Sequence, residues 1–507
     1  MATMEQAVRL VDALESELLR RQTWTDLYEG YYRGDQPLKF ASDEFRRFHG
    51  ERYAGFADNW IQVVADSPVE RLTNIGIQPY DETEADKESW RVAQVNGFEA
   101  DSQLGFLGAV TAGRSFVLVW GDPDDDETPI VSFEDAGQAI VAYEPGSRTK
   151  RRAALKRWQD GDSVFATLYL PDEVWKFERP FTRMTKSPQE SSVDEAFDGW
   201  SLRETATEKG VFPNPLGVVP MVELRNRPML TGDPISDVAG VIAMQDAINM
   251  LWAHLFTASD SAAFPQKVLL GAERPVVPIL DHNGQVVGEK AVDLAKLAVD
   301  KVLVFEGESA KIDEWSAANL NAFTDIIEVA VGHIAAQTRT PQHYLIGKMA
   351  NLSGDALIAA ETGLVQRTRE KQLWFGQGLR EMYALIALAQ NNIAKAKALR
   401  AGRTLWTNPQ FRSEAQLSDS LLKDAQMGFP FEWLAAQKGL TPQEIDDVLE
   451  MKKRQAAMDP IADLARGLTP EDSSNAYASG DSSPSGRGPA SVRAPGNSVP
   501  ARPVVAG

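Results

Sequence analysis

A proline stands at position 341 between two long apolar-striped stretches, and this arrangement constrains the chain more than any other feature. Upstream, Leu320, Phe323, Ile327, Val331 and Ile334 recur every three or four residues, the period of one helix face, until Pro341 removes a backbone donor. The spacing predicts a helix that stops at this break. Downstream, Ser353 or Asp355 is placed to cap a new helix whose stripe runs through Leu357, Leu364, Leu373, Leu379, Met382, Ile386 and Ile393. With no proline before about Leu399, that helix is expected to reach roughly 60 to 70 Å at about 1.5 Å per residue. A helix of that length has to cross a large body. The glycine-bearing stretch Ile346 to Ser353 is then a loop between two helices.

A second helix pair with an insert lies just before the break. Asp233 and Pro234 make an N-cap and first-turn pair, and Ile235, Val238, Ile242, Ile248 and Trp252 mark a face extending to about Ser261. The helix from Ala317 to about Gln337 follows a β-rich insert, Gln266 to Gly307, with a turn at Asn283-Gly284. Such a pair has too little surface of its own to bury both stripes, so neighbouring subunits are expected to cover it. Residues 1–112 read as mainly helical. From Arg114 to about Pro228, short β-branched and aromatic runs separated by Gly, Asp and Pro predict an antiparallel β region. Residues 406–460 read as three shorter helices bounded by Ser413, the Gly428 to Pro430 break and the Thr441 to Glu444 capping box. Residues 461–507, rich in Ser, Gly, Pro and Ala, are too poor in large apolar side chains to offset their ordering entropy and are expected to be a disordered tail.

Composition narrows the function. A chain of 507 residues has room for about three domains. It has no cysteine, which excludes thiol nucleophiles and Cys-based zinc sites and fits a reducing compartment. The amphipathic, acid-bearing N-terminus is unlike a signal peptide, and the greasiest windows are too short to span a bilayer, so a soluble chain made without export is expected. The net charge of −20 argues against tight nucleic-acid binding, though an acidic wall would let a duplex slide past it.

The chain offers little for catalysis. Gly347-Lys348 is followed by Met349 where a P-loop needs Ser or Thr, and HExxH and GxSxG are absent. The histidines, His49, His254, His282, His333 and His343, are scattered without zinc-ligand spacing. The acidic run at Asp122, Asp124, Asp125 and Asp126 lacks the glycine of a calcium loop and reads as a turn between strands. Arg148 to Arg157 is the densest basic cluster; without interleaved aromatics it reads as a solvated or subunit-facing surface before a phosphate site. The aromatic cluster from Trp24 to Trp60 has helical spacing and reads as core before stacking platform. No cofactor and no metal is expected.

Four segments together carry a resemblance: YEGYYRGDQPLKF from Tyr28, NWIQVVADSPVERL from Asn59, PISDVAGVIAMQDAINMLWAHLFTASDSAAFP from Pro234 and TRTPQHYLIGKMANLSGDAL from Thr338. In this order and at these distances they resemble the portal proteins of tailed bacteriophages, in the siphophage class of actinobacterial and Gram-positive hosts, over about residues 5–458. The resemblance implies an α+β, mainly helical multidomain fold: a wing at 1–232, a stem helix at 233–262, a clip at 263–316, a second stem helix at 317–340, a tunnel loop at 341–354, a long wing helix at 355–405 and crown-like helices at 406–460. It implies a homo-oligomeric ring of about twelve subunits at one capsid vertex, assembled in the host cytoplasm and carried in the virion. Its implied partners are the terminase packaging motor, the major capsid and scaffolding proteins, a head-tail connector and double-stranded DNA passing without sequence specificity. Gly347, Lys348, Asn351 and Ser353 would line the DNA channel, and Arg274, Asp281, Asn283 and Lys290 would lie where the clip docks motor and connector. The residues leave two other readings, a helical adaptor or scaffolding protein that forms no ring and a head-associated enzyme. Whether the loop grips, seals or lines the channel stays open.

Overall fold

The computed structural model describes residues 2–51, 53, 55–125, 127–181, 199–205, 209–263, 267–270, 276–280, 284–291, 302–305, 311–314, 319–347, 354–410 and 414–457. It is a mixed helix and sheet fold, about half helical, with largely antiparallel sheets. The chain divides into a large unit, Met1–Asp447, and a second, Val448–Gly507. In the second unit the described residues are the closing turns of one helix, held by an Arg454 to Glu450 pair one turn apart.

The chain opens with α1 (Met4–Arg33), capped reciprocally by Thr3 and Gln6 and ended by Gly34 in the left-handed region. Then follow α2 (Asp43–His49), α3 (Trp60–Val69), β1 (Asn74–Gln78), α4 (Lys87–Val95) and α5 (Phe98–Ala112). The β region comprises β2 (Arg114–Trp120), β3 (Ile130–Glu134), β4 (Ala139–Tyr143), β5 (Arg151–Asp160), β6 (Ser163–Tyr169), β7 (Glu173–Pro180), β8 (Ser201–Leu202), β9 (Val211–Pro213) and β10 (Met221–Arg225). It forms a three-stranded sheet in the order β10-β2-β3 and a six-stranded sheet β4-β5-β6-β7-β8, with β9 beside β7. Both are antiparallel, as the sequence predicts.

The period-two alternation of β5 shows how these layers stack. Ala153 and Leu155 bury beneath α1 with Val11, Leu14 and Leu18, whereas Ala154 faces the opposite way, toward Phe116 and Met221 of the three-stranded sheet. A larger core joins α3, α4 and α5 to the long helix α9 (Gly354–Ala389) through Ile61, Val64, Trp90, Phe98, Phe106, Phe375 and Tyr383. Phe106 and Phe375 stack with centroids 5.3 Å apart. The aromatic cluster follows the core reading in part: Tyr31 is buried, but Trp24 and Phe40 are exposed.

Three helix predictions are corrected. The helix placed at Asp233 begins nine residues later, as α6 (Ile242–Ala263), after a 3-10 turn at Ala239–Val241. Residues 233–238 are instead pinned in a non-helical path: Asp237 N–H donates to the Val110 carbonyl, Ser236 Oγ to the Thr111 carbonyl and Asn226 Nδ2 to the Ile235 carbonyl. The Asp233 carboxylate meets Arg114 at 2.5 Å instead of capping a helix. The downstream helix does not run to Leu399. It ends at Ala389, because Asn391 takes a left-handed backbone (φ 57°) and Asn392 caps a new helix, α10 (Ile393–Ala401). At 36 residues α9 is about 54 Å long. Leu373, read as part of its apolar stripe, is 75% exposed; Lys371 and Phe375 hold the buried positions.

The insert between the paired helices is β-rich, as predicted. Its strands are β11 (Lys267–Leu270), β12 (Val276–Leu280), β13 (Val286–Ala291), β14 (Val302–Phe305) and β15 (Lys311–Glu314). β12 and β13 form a hairpin, and β11 pairs in parallel with β14 and antiparallel with β15. α7 (Asn321–Thr338) then returns alongside α6 and stops at Arg339, whose left-handed backbone closes the helix on Ala335 and Ala336. Pro341 starts a short helix the sequence did not foretell, α8 (Gln342–Ile346), ended by left-handed Gly347. After α10, β16 (Arg403–Trp406) pairs antiparallel with β1, and the three expected helices follow: α11 (Glu414–Gln426), α12 (Phe431–Lys438) and α13 (Pro442–Ala457). The Thr441 and Glu444 capping box is formed. The tail at 461–507 lies outside the described residues.

Candidate functional site at the root of the helix pair

The α6 and α7 pair is held at its base by buried polar groups, and all four sequence segments singled out above contribute to them. The first cluster centres on Asp237. Its Oδ2 receives Arg367 Nη2 at 2.6 Å and Nε at 3.0 Å, and Lys371 Nζ at 2.5 Å, while Oδ1 receives Asn226 Nδ2 at 2.9 Å. Lys371 also donates to Asn226 Oδ1 at 2.6 Å. Arg367 spends its remaining donors on the Thr338 carbonyl at the end of α7 and on the Val64 carbonyl of α3. One guanidinium thus ties three segments together. Burial by itself would raise the Asp237 carboxyl, but Lys371 and then Arg367 outweigh it and hold it well below the carboxylate range. Burial presses the Lys371 ammonium down to about 8, against the pull of Asp237 and with the push of Arg367.

A second cluster grips the flank of α6. Asn249 Nδ2 donates to Gln36 Oε1 at 2.7 Å, and Gln36 Nε2 to Asn59 Oδ1 at 2.8 Å. Gln245 bridges the Asp58 carbonyl and the Trp60 amide at 2.6 and 3.0 Å, and Asp58 Oδ2 accepts from the indoles of Trp60 and Trp252. Tyr31 donates to Asp246 at 2.6 Å; burial and then that carboxylate push its phenol up. Because amides both give and accept, Gln36, Asn59, Gln245 and Asn249 satisfy one another, while the Asp58 and Asp246 carboxylates take their hydrogen bonds from the indoles and from Tyr31.

A third cluster fixes α8, immediately before the loop. Tyr344 OH donates to Glu361 Oε1 at 3.1 Å, and Arg71 meets both Tyr344 and Glu361, the latter at 3.2 Å. Arg71 also donates to the Pro409 carbonyl at 3.1 Å. The chain therefore reaches Gly347 on an anchored helix and resumes at Gly354 on another.

Of the channel candidates, Gly347 is described and exposed; Lys348, Asn351 and Ser353 lie outside the described residues. Of the docking candidates, Lys290 is exposed on β13, while Arg274, Asp281 and Asn283 lie outside them. Half of the basic run 148–157 is paired within the chain: Arg151 with Glu381, Lys156 with Glu134 and Arg157 with Glu15. Among the described residues no group of three or more His, Asp or Glu is placed to hold a metal, and no helix is long and apolar enough to cross a membrane. Sequence reasoning missed Arg367 and Lys371, although a signal existed. Lys371 falls seven residues after Leu364 and four before Phe375, a charge inside an apolar stripe.

The chain matches the family model described as "Phage portal protein, SPP1 Gp6-like" over residues 12–457. It is 26% identical over 418 residues to the portal protein of Mycobacterium phage L5, covering 78% of this chain and 79% of that one. It is 25% identical over 419 residues to the portal protein of Mycobacterium phage D29, with the same coverage.

Proposed function

The chain belongs to the phage portal proteins, a structural and non-enzymatic family of the virion capsid, and on that premise we propose that it forms a ring of about twelve subunits whose axis is the channel for DNA entry and exit. The observation that best supports a ring is the second face of α7. Ile327, Ala330, Val331 and Ile334 bury against the chain's own core, but Ile326 and Val329 remain 53% and 58% exposed. A neighbouring copy is the natural cover for such a face.

In this reading residues 1–232 form the wing, α6 and α7 the stem, 263–316 the clip, 341–354 the tunnel loop, 355–405 the wing-crossing segment and 406–460 the crown. Exposed Lys290, with Arg274, Asp281 and Asn283, would face the packaging motor during filling and the head-tail connector afterwards. Capsid and scaffolding proteins would surround the ring, which assembles in the host cytoplasm. The buried clusters at the stem root make the pair a rigid spoke. The Arg71, Tyr344 and Glu361 contacts anchor α8, the helix that leads into the tunnel-loop segment.

The charge of −20 per chain disfavours adhesion of DNA to exposed acidic walls, within a screening distance of about 10 Å. Lys348 and Asn351 then supply brief phosphate contacts. Negative-stain imaging with mass measurement tests the ring: twelve chains of 55.7 kDa give about 670 kDa and a central hole, whereas a monomer across a range of salt refutes it. Packaging and retention of DNA by Lys348→Ala and Asn351→Ala rings tests the contacts, and unchanged behaviour refutes them.

A further inference from the structure

A cleft of about 310 Å³ opens beside the Asp237 cluster, lined by Arg227, Arg339, Arg367 and Lys371 against only two carboxylates, Asp237 and Glu370. The other cations are committed: buried Arg367 and Lys371 share Asp237, and exposed Arg339 pairs with Glu370 at 3.1 Å. Arg227 is different. It is exposed and, among the described residues, makes no ion pair or side-chain hydrogen bond. Arg227 and Arg339 are also two of the three described non-glycine residues with a positive φ, at 44° and 55°. Such backbones are strained and are retained where surrounding structure imposes them. The apolar surroundings are exposed too. Trp374 is shared with an adjoining cleft that contains Met229 and Leu230, and Leu230 is 79% exposed.

From this geometry we infer that the cleft is a subunit contact, receiving an acidic side chain with apolar neighbours from a second copy of this chain. Two observations favour that occupant over a DNA phosphate. A cleft of this size takes side chains, whereas a double helix is too wide to enter it. The chain also carries a large acidic surplus, so a complementary carboxylate is available on every copy. The inference rests on the ring reading and specifies one of its contacts.

Full-length chains carrying Arg227→Glu, Arg227→Lys or no substitution would be titrated through assembly at several salt concentrations by mass photometry. Thermal unfolding would verify each subunit. Arg227→Glu is expected to raise the concentration of half-assembly by about tenfold or more, an effect that shrinks as salt rises, with Arg227→Lys staying within about threefold. Because the chain has no cysteine, Arg227→Cys gives a unique attachment point for a thiol-linked photocrosslinker, and the adduct should join a segment bearing Asp or Glu on another copy. Equal assembly of Arg227→Glu, or adducts confined to one chain, would overturn the inference. Normal rings that lose packaged DNA would overturn it in favour of phosphate contact. If the unsubstituted chain forms no ring, the ring reading itself fails.

Discussion

Asp237→Ala should be among the most damaging single substitutions in this fold. The wild-type cluster has two buried cations on one carboxylate, with side chains 7% exposed for Arg367 and 0% for Lys371. Removing the carboxylate leaves both cations in place with no counter-charge, and breaking one buried pair in this way costs about 3–5 kcal/mol. Lys371→Met removes the excess cation and leaves the two Arg367 hydrogen bonds to Asp237. Its lost attraction is offset by the ammonium's lost burial penalty, but the buried Asn226 Oδ1 loses its donor, so the cost should be about 1–3 kcal/mol, below that of Asp237→Ala. In the double variant only Arg367 is stranded, and the sum of single effects should overstate the measured cost by about 1–3 kcal/mol. Thermal unfolding of dilute subunits gives the readout. At about 2.1 cal/mol/K per residue over roughly 450 residues, each kcal/mol moves the midpoint by about 1 °C, so Asp237→Ala should lose about 3–5 °C. A Lys371→Met variant as unstable as Asp237→Ala, or additive effects in the double variant, would refute the charge-balance account.

Three further outcomes follow from other sites. Burial, then Asp135, pushes the Glu29 carboxyl up to about 7, with Arg33 opposing. The folded state thus favours the neutral acid: its stabilising effect is full below about pH 4.5 and is lost as pH rises through 7, for a total of about 3 kcal/mol before solvent screening of this half-buried group lowers it. Glu29→Gln should flatten that stretch of the stability curve, and an unchanged slope in urea titrations would count against it. Gly378→Ala brings a Cβ to 2.4 Å from Leu224 Cδ2, where α9 crosses β10. Despite the better helix propensity it should destabilise by about 1–3 kcal/mol, and Leu224→Val should recover part of the loss in chemical unfolding. Arg71→Ala should raise amide exchange across Gln342–Ile346 by about tenfold or more, since Tyr344 and Glu361 lose their shared donor; unchanged protection would show that α8 stands without it.

The broad plan was legible wherever one local rule dominated. The Pro341 stop, the alternating strands, the hairpin beside Gly284 and the Thr441 to Glu444 box each announce themselves within a few residues. Most of what escaped depends on partners far along the chain. Asp233-Pro234 is a sound helix start, yet buried hydrogen bonds to Val110 and Thr111 override it. Asn391 and Asn392 divide the downstream helix without a proline, since asparagine enters the left-handed region more readily than most residues. The pairing of β1 with β16 joins two short segments more than 300 residues apart, beyond any local period. At the site, the four segments were visible as motifs, but their convergence was not. Gln36, Gln245 and Asn249 look unremarkable until they are seen to satisfy one another.

The β1 and β16 ladder also has a mechanical meaning. Residues 79–402, which include the helix pair, the β-rich insert and the whole of α9, form a closed circuit whose two ends meet at a clasp of four residue pairs. Tension applied through the insert returns along both arms to that clasp and is resisted there by backbone hydrogen bonds. Along the covalent chain, neither α1 nor the helices after Trp406 feels the pull until the clasp opens. A load applied at one end of such a part can be borne repeatedly while the peripheral helices keep their seats.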